Sequence, residues 1–165
     1  MLTVIDVGNV KASQACLTSM RCFLHHTEDR AMTITGGCLC RAVRYTVTAE
    51  PITTRVCWCR DCQYFAAGSS TVNLVFPAAA VTVTGPLRDY TSISDSGHHM
   101  HRQFCERCGT PVTSLSEARP HLMILRAGTL DDPELAHPSL VIWTESAPSW
   151  ASINETLPHM PRHID

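Results

Sequence analysis

Hydrophobic and polar residues alternate along much of the chain after residue 32. In residues 41–48, Val43, Tyr45 and Val47 alternate with polar side chains, which predicts a strand with one buried face. Further short strands are predicted at 71–76, 80–84, 87–91, 101–104, 121–126 and 139–144. No long amphipathic helix is predicted. The pattern therefore favours a mainly β fold built from small antiparallel sheets.

Residues 1–31 lack this alternation. They contain the only lysine, Lys11, and a weak helical pattern at 15–24. Met32 then opens the segment MTITGGCLC, which is typical of a natural protein start. We therefore predict an N-terminal extension over 1–31 that is peripheral or poorly ordered, followed by one domain over 32–165.

Composition and charge exclude several classes of protein. Hydrophobic residues make up 44% of the chain and charged residues 17%, which argues against disorder. The net charge of −2 provides no basic surface, so neither a nucleic acid nor an anionic membrane is an expected partner. The sequence has no secretory signal pattern and no run of 18 apolar residues, so a cytoplasmic location is predicted.

Cysteine is the residue type that stands out, with nine in the chain. Seven of them form three tight groups, CLC at 38–40, CWCRDC at 57–62 and CERC at 105–108. In a reducing compartment, clustered cysteines are more often metal ligands than disulfides. Spacings of one or two residues allow neighbouring thiolates to converge on one ion.

Seven ligands divide into a set of three and a set of four. The local triple can surround one ion and leave its fourth position open, as in catalytic zinc sites, whereas four thiolates close a structural site. The predicted ligands are Cys57, Cys59 and Cys62 for the open site, and Cys38, Cys40, Cys105 and Cys108 for the structural site. Two zinc ions per chain are therefore expected. The structural ion would staple distant parts of the chain together.

Other interpretations of the cysteines remain open at this stage. The groups can also form disulfides, a redox-active CxxC pair, or one zinc ribbon with three spare thiols. Cys16 and Cys22 lie outside any tight spacing. They are expected to be free bystanders, with donation of a fourth ligand as the alternative.

Several side chains near the cysteines have two plausible roles. His98, His99 and His101 can donate a fourth metal ligand or carry protons, or they can simply belong to a solvated loop. Two arginines, Arg55 and Arg60, and the carboxylate Asp61 lie beside the open site in the sequence. These arginines can bind a substrate carboxylate or simply face solvent. Trp58 can line a substrate pocket or merely pack, and Trp143 and Trp150 are expected in the core or a pocket wall.

The cysteine groups and their flanking residues resemble one known family. GGCLC at 36–40, CWCRDC at 57–62, FCERCGTP at 104–111 and AGTLDDP at 127–133 look like the glutathione-dependent formaldehyde-activating enzyme (GFA) family, which also includes centromere protein V-like proteins. The resemblance implies a β-tent-like, zinc-stapled fold. It also implies a structural zinc on Cys38, Cys40, Cys105 and Cys108 and a catalytic zinc on Cys57, Cys59 and Cys62.

The function that the resemblance implies is a zinc-dependent carbon–sulfur lyase. Such an enzyme condenses a small-molecule thiol, glutathione or another, with formaldehyde or a related aldehyde. The chain has Gln63 where the family commonly has a basic residue, so Arg41 and Arg60, together with Trp58, are the expected contacts of an anionic thiol. The alternative is a non-catalytic zinc-binding module that binds a protein partner. Methionine sulfoxide reduction is disfavoured because no cysteine follows Cys108.

Overall fold

The computed structural model describes residues 33–162, and the account below concerns that part of the chain. The predicted extension over 1–31, its weak helix, Cys16 and Cys22 lie outside the described residues. The described elements include one short α-helix, α1 (Arg60–Phe65), and the strands β1 (Ile34–Gly37), β2 (Arg44–Val47), β3 (Thr53–Cys57), β4 (Thr71–Pro77), β5 (Val81–Thr84), β6 (Leu87–Ile93), β7 (His99–Cys105), β8 (Pro111–Ser116), β9 (Leu122–Arg126), β10 (Leu140–Ile142) and β11 (His159–Met160). Single turns of 3-10 helix occur at Ala78–Ala80, Ala127–Thr129, Pro133–Leu135 and Thr144–Ser146.

The strands form two sheets. The small sheet has the order β1-β2-β5, and the large sheet has the order β11-β10-β3-β4-β9-β8-β7-β6. Neighbouring strands are antiparallel except that β10 pairs in parallel with both β3 and β11. The predicted mainly β fold is confirmed, with this parallel edge as a refinement.

A hydrophobic core lies between the two sheets. The small sheet contributes Tyr45, and the large sheet contributes Leu74, Phe76 and Leu125, all of them fully buried. The Tyr45 hydroxyl lies 2.9 Å from Thr129 Oγ1, so its polar end is satisfied inside the core. These contacts fix the small sheet against one face of the large sheet.

Gly36 in β1 is required by this packing. A Cβ atom at this position would collide with the Tyr45 hydroxyl and the Thr129 carbonyl oxygen. Gly36 also forms an isolated antiparallel bridge with Leu130. The close approach of β1 to the segment after β9 therefore depends on the missing side chain.

The opposite face of the large sheet carries both polar and apolar side chains. Because side chains alternate along a strand, Asn73 in β4 points away from the side that carries Leu74. On the same principle Arg55 and Cys57 of β3 share one face, as do Ile124 and Arg126 of β9. This second face forms the floor of the cleft described below.

Candidate metal centres and the adjoining cleft

Four cysteines from two distant turns converge at one end of the core. Cys38 and Cys40 belong to the loop between β1 and β2, Cys105 is the last residue of β7, and Cys108 lies in the turn that leads to β8. Their four sulfur atoms lie within 4.8 Å of one another. The predicted group of four ligands is therefore present as a spatial cluster.

Backbone geometry shapes the Cys38 loop. Arg41 adopts a left-handed conformation with φ of 61°, and its N–H donates to the Cys38 carbonyl at 2.9 Å. The Val43 N–H donates to the Cys38 sulfur at 3.2 Å. This tight turn explains why the strand predicted from residue 41 begins only at Arg44.

The Cys105 turn has similar local chemistry. Gly109 has φ of 72°, and its N–H donates to the Cys105 carbonyl at 2.9 Å. The Thr110 hydroxyl lies 3.2 Å from the Cys108 sulfur and lowers the pKa of that thiol to about 5. A thiol that ionises readily is a suitable metal ligand, since the thiolate is the binding form.

The four-cysteine cluster fits a metal ion. Tetrahedral coordination with metal–sulfur bonds of about 2.3 Å puts neighbouring sulfur atoms about 3.8 Å apart. Cys40 Sγ lies 3.5 Å from Cys38 Sγ and 3.8 Å from Cys105 Sγ. These separations match a closed four-sulfur site that joins the small sheet to the large sheet.

A second cluster contains three cysteines from one short segment. Cys57 ends β3, Cys59 is the N-cap residue of α1, and Cys62 lies in the first turn of this helix. The Cys62 N–H points at the Cys59 sulfur from 3.5 Å. The three sulfur atoms lie within 4.8 Å of one another, and no other cysteine, histidine or carboxylate within residues 33–162 joins the group.

The three thiols are not equivalent. Hydrogen bonds from the Cys57 and Cys59 side chains lower the pKa of Cys62 to about 2. The contact with Cys59 is the main cause that raises the pKa of Cys57. One thiolate is thus stabilised by two neighbouring thiols, and a metal cation would stabilise all three in the charged form.

A cleft of about 270 Å³ adjoins the three-cysteine cluster. Its walls combine Trp143 with aliphatic side chains, namely Val75, Met100, Leu122, Ile124 and Ile142. Four arginines also line it, namely Arg55, Arg102, Arg119 and Arg126, against the carboxylates Asp61 and Asp95. The cleft therefore has apolar walls and an excess of cationic groups, as expected for an organic anion.

Arg102 is held by a carboxylate. It forms an ion pair with Asp61 of α1 and donates to the Ser92 hydroxyl. Its guanidinium also lies 5.7 Å from the centre of the Phe65 ring. Since Asp61 adjoins Cys62, these contacts tie α1 and Cys62 to β6 and β7.

Two other arginines are close to the cysteines. Burial is the largest cause that lowers the pKa of Arg55, and the thiols of Cys57, Cys59 and Cys62 act in the opposite direction. Arg126 donates to Ser114 Oγ at 2.8 Å, to Thr71 Oγ1 at 3.5 Å and to Asn73 Oδ1.

The predicted substrate contacts occupy other positions. Arg41 lies in the four-cysteine loop. Trp58 is buried, and Arg60 is exposed, with its guanidinium bonded to Gln63 and 5.3 Å from the Tyr64 ring centre. None of the three lines the cleft. Their role in thiol binding stays a prediction.

Of the histidines and tryptophans singled out in the sequence, only Trp143 lines the cleft. His98, His99 and His101 do not line the cleft, and His101 pairs with carboxylates on the surface. Trp143 lies in the cleft wall. The expectation that Trp150 lies in the core or a pocket wall is wrong, since 70% of this residue is exposed and it does not line the cleft. The sequence does not indicate that Arg102, Arg119 and Arg126 line a cleft, because an isolated arginine carries no local signal.

These observations define a mainly β protein with two cysteine clusters that can hold metal ions. Residues 33–146, more than half of the chain, match the model of the family described as glutathione-dependent formaldehyde-activating enzyme. The chain belongs to this family. The resemblance noted in the sequence is thereby confirmed.

Solved structures add a likeness in fold. A crystal structure of a Rhodobacter sphaeroides protein, a structural genomics target, superposes with a TM-score of 0.50 and 19% identity, covering 63% of this chain and 96% of that one. No curated protein matches the sequence. Within residues 33–162, no helix is long and apolar enough to cross a membrane.

Proposed function

We propose that the protein is a zinc-dependent carbon–sulfur lyase that joins an anionic thiol, such as glutathione, to formaldehyde or a related aldehyde. The observation that carries the proposal is the position of the three-cysteine cluster at a cleft lined by four arginines. A closed four-sulfur site without a cleft would favour a purely structural role instead. A cytoplasmic location belongs to the same proposal, because metal-binding thiols are kept reduced there.

The two clusters have different roles in this proposal. Cys38, Cys40, Cys105 and Cys108 hold a structural zinc, and Cys57, Cys59 and Cys62 hold a zinc with a fourth position free for substrate. When bound to three thiolates, zinc lowers the pKa of a thiol at the free position, so that thiolate is available at neutral pH. The arginines of the cleft attract the carboxylates of such a thiol.

The reaction balances without an oxidant or a reductant. The thiolate sulfur forms a bond to the carbonyl carbon, and the π electrons of the carbonyl group move to oxygen. The proton that the thiol released returns to this oxygen. The product is a hydroxymethyl thioether when the aldehyde is formaldehyde.

The proposal is tested by metal analysis combined with exchange kinetics. We expect two zinc ions per chain, and we expect the purified protein to accelerate exchange between ¹³C-formaldehyde and its glutathione adduct in NMR exchange spectra. Cys59→Ala should abolish the acceleration and remove one zinc ion. Arg88→Gln, which changes an exposed arginine paired with Glu106 outside the cleft, serves as the matched control.

The proposal fails if the metal-loaded protein does not catalyse the exchange. Wild-type protein with two zinc ions and no acceleration, for either formaldehyde or a larger aldehyde, would exclude the lyase function. In that case the alternative of a non-catalytic zinc-binding interaction module would be the better description. One tightly bound zinc ion with no response to thiol would lead to the same conclusion.

A further inference from the structure

Three strands of the cleft floor place two arginines in one row. Arg55 of β3 is opposite Asn73 of β4, and Asn73 is opposite Arg126 of β9. The next row on the same face pairs Cys57 with Thr71. Rows on one face of a strand are about 6.6 Å apart, so this arginine row directly follows the row that carries a metal ligand.

Neutral groups hold Arg126 in place within this row. Its guanidinium donates to Ser114, Asn73 and Thr71. Asn73 in turn donates from Nδ2 to Thr71 Oγ1 at 2.9 Å, which orients its carbonyl oxygen toward Arg126. The side chain is therefore fixed before any ligand arrives, and a planar guanidinium fixed in this way suits a carboxylate.

The charge of Arg126 has no carboxylate partner within residues 33–162. Its Nε atom is buried and forms no hydrogen bond there. Arg102, in the same cleft, differs because Asp61 neutralises it. Arg126 is only half-buried, and Cys62 is the anionic group beside it, so the guanidinium suits a second anion held next to the three-cysteine cluster.

The row beyond the arginines is largely apolar. Thr53 is opposite Val75, and Val75 is opposite Ile124. All three line the cleft. A ligand with its sulfur at the cysteine cluster would thus meet a cationic row first and an aliphatic row next.

We propose that Arg55 and Arg126 form a subsite for a carboxylate, one row of side chains away from the three-cysteine cluster. This subsite selects thiols whose carboxylate lies a few carbon atoms from the sulfur. The inference rests on the proposed function, since it takes the cluster as the place where the thiol binds. The substrate class it names is the short mercaptocarboxylates. The carbon skeleton of the ligand packs on Thr53, Val75 and Ile124.

The test measures thiol binding rather than turnover. The protein is loaded with Co²⁺, and the sulfur-to-cobalt charge-transfer absorption is followed during titration with 3-mercaptopropionate or with its neutral amide. Arg55→Gln and Arg126→Gln should each weaken binding of the carboxylate about 10- to 100-fold. Binding of the amide should change less than threefold, and Arg88→Gln should leave both affinities unchanged.

Three other outcomes would overturn the inference or its basis. If the substitutions weaken binding of the carboxylate and of the amide equally, the arginines only balance the charge of the metal–thiolate cluster. Unchanged affinity for the carboxylate in both variants would exclude the subsite. Wild-type protein that responds to neither thiol would instead contradict the open metal site, so failure of the proposed function is recognised separately. Cobalt stoichiometry and circular dichroism identify a variant that has not folded, and the two arginines provide independent tests.

Discussion

His101 lies between two carboxylates on neighbouring strands. Its Nδ1 is 2.6 Å from Asp89 Oδ2 in β6, and its Nε2 is 3.2 Å from Glu117 Oε1, just beyond β8. These contacts, with Asp89 as the main cause, raise the pKa of His101 above its usual value. The imidazolium therefore links three strands at the edge of the large sheet, away from the cleft.

The raised pKa predicts how stability changes with pH. The ion pairs stabilise the fold fully below about pH 6.5, the pKa of an unfolded histidine, and this contribution is lost as pH rises through the higher folded pKa. The difference in melting temperature between wild type and His101→Gln should therefore shrink between pH 6 and pH 9. A difference that grows over this range would contradict the assignment. NMR titration of His101 provides the direct check.

Single residues differ in how well the sequence predicts their position. The seven clustered cysteines could be assigned to two sites, because close spacing along the chain already brings thiols together. The cleft arginines could not, since they come from four separate segments that meet only through strand pairing. Arg60, which adjoins Cys59 in sequence, points away from the cleft because α1 turns it outward to Gln63 and Tyr64.

At the level of elements, Gln63 connects α1 to the wall of the cleft. Its buried amide donates to the Trp58 carbonyl at 2.6 Å and to the Ser146 carbonyl at 2.9 Å. Trp58 lies between Cys57 and Cys59, and Ser146 ends the turn that follows Trp143. One side chain thus fixes both the cysteine loop and the turn that carries the cleft tryptophan.

Gln63→Leu should loosen the three-cysteine cluster. The substitution keeps the side-chain volume but removes the donor to two carbonyl groups, which costs about 1–3 kcal/mol in stability. We expect weaker metal binding at this cluster, measured by competition with a chromogenic chelator, while the four-cysteine site keeps its affinity. Arg60→Ala removes only the donor to the Gln63 oxygen and should have the smaller effect. Equal loss at both metal sites would indicate general destabilisation.

Two of the strands that the sequence did not predict, β3 and β8, were missed for the same reason. β3 and β8 direct polar side chains inward, among them Arg55, Ser114 and Ser116, because these side chains line the cleft. A pattern based on buried hydrophobic residues does not detect such strands. β2, β4 and β9, which contribute to the hydrophobic core, were predicted within a few residues of their observed bounds. The helix α1 is too short to show a helical period.

At the scale of the whole molecule, the two cysteine clusters connect very different lengths of chain. Cys57, Cys59 and Cys62 come from one segment at the end of β3 and the start of α1. The other cluster joins the β1–β2 loop of the small sheet to the β7–β8 turn of the large sheet. An ion at the second cluster closes a loop of more than 60 residues and restrains the two sheets that enclose the core.

This difference leads to opposite expectations for two cysteine variants. Cys105→Ala removes a fully buried ligand that links the sheets, and because the binding energy of a structural zinc is about 10 kcal/mol or more, the domain should unfold. Cys59→Ala removes a local, half-buried ligand, so we expect one metal ion to be lost with only a modest fall in melting temperature. Thermal unfolding followed by circular dichroism, with zinc measured in the same samples, checks both. Similar melting temperatures for the two variants would contradict the division into a structural site and an open site. If only Cys105→Ala unfolds, the four-sulfur cluster is what holds the two sheets together.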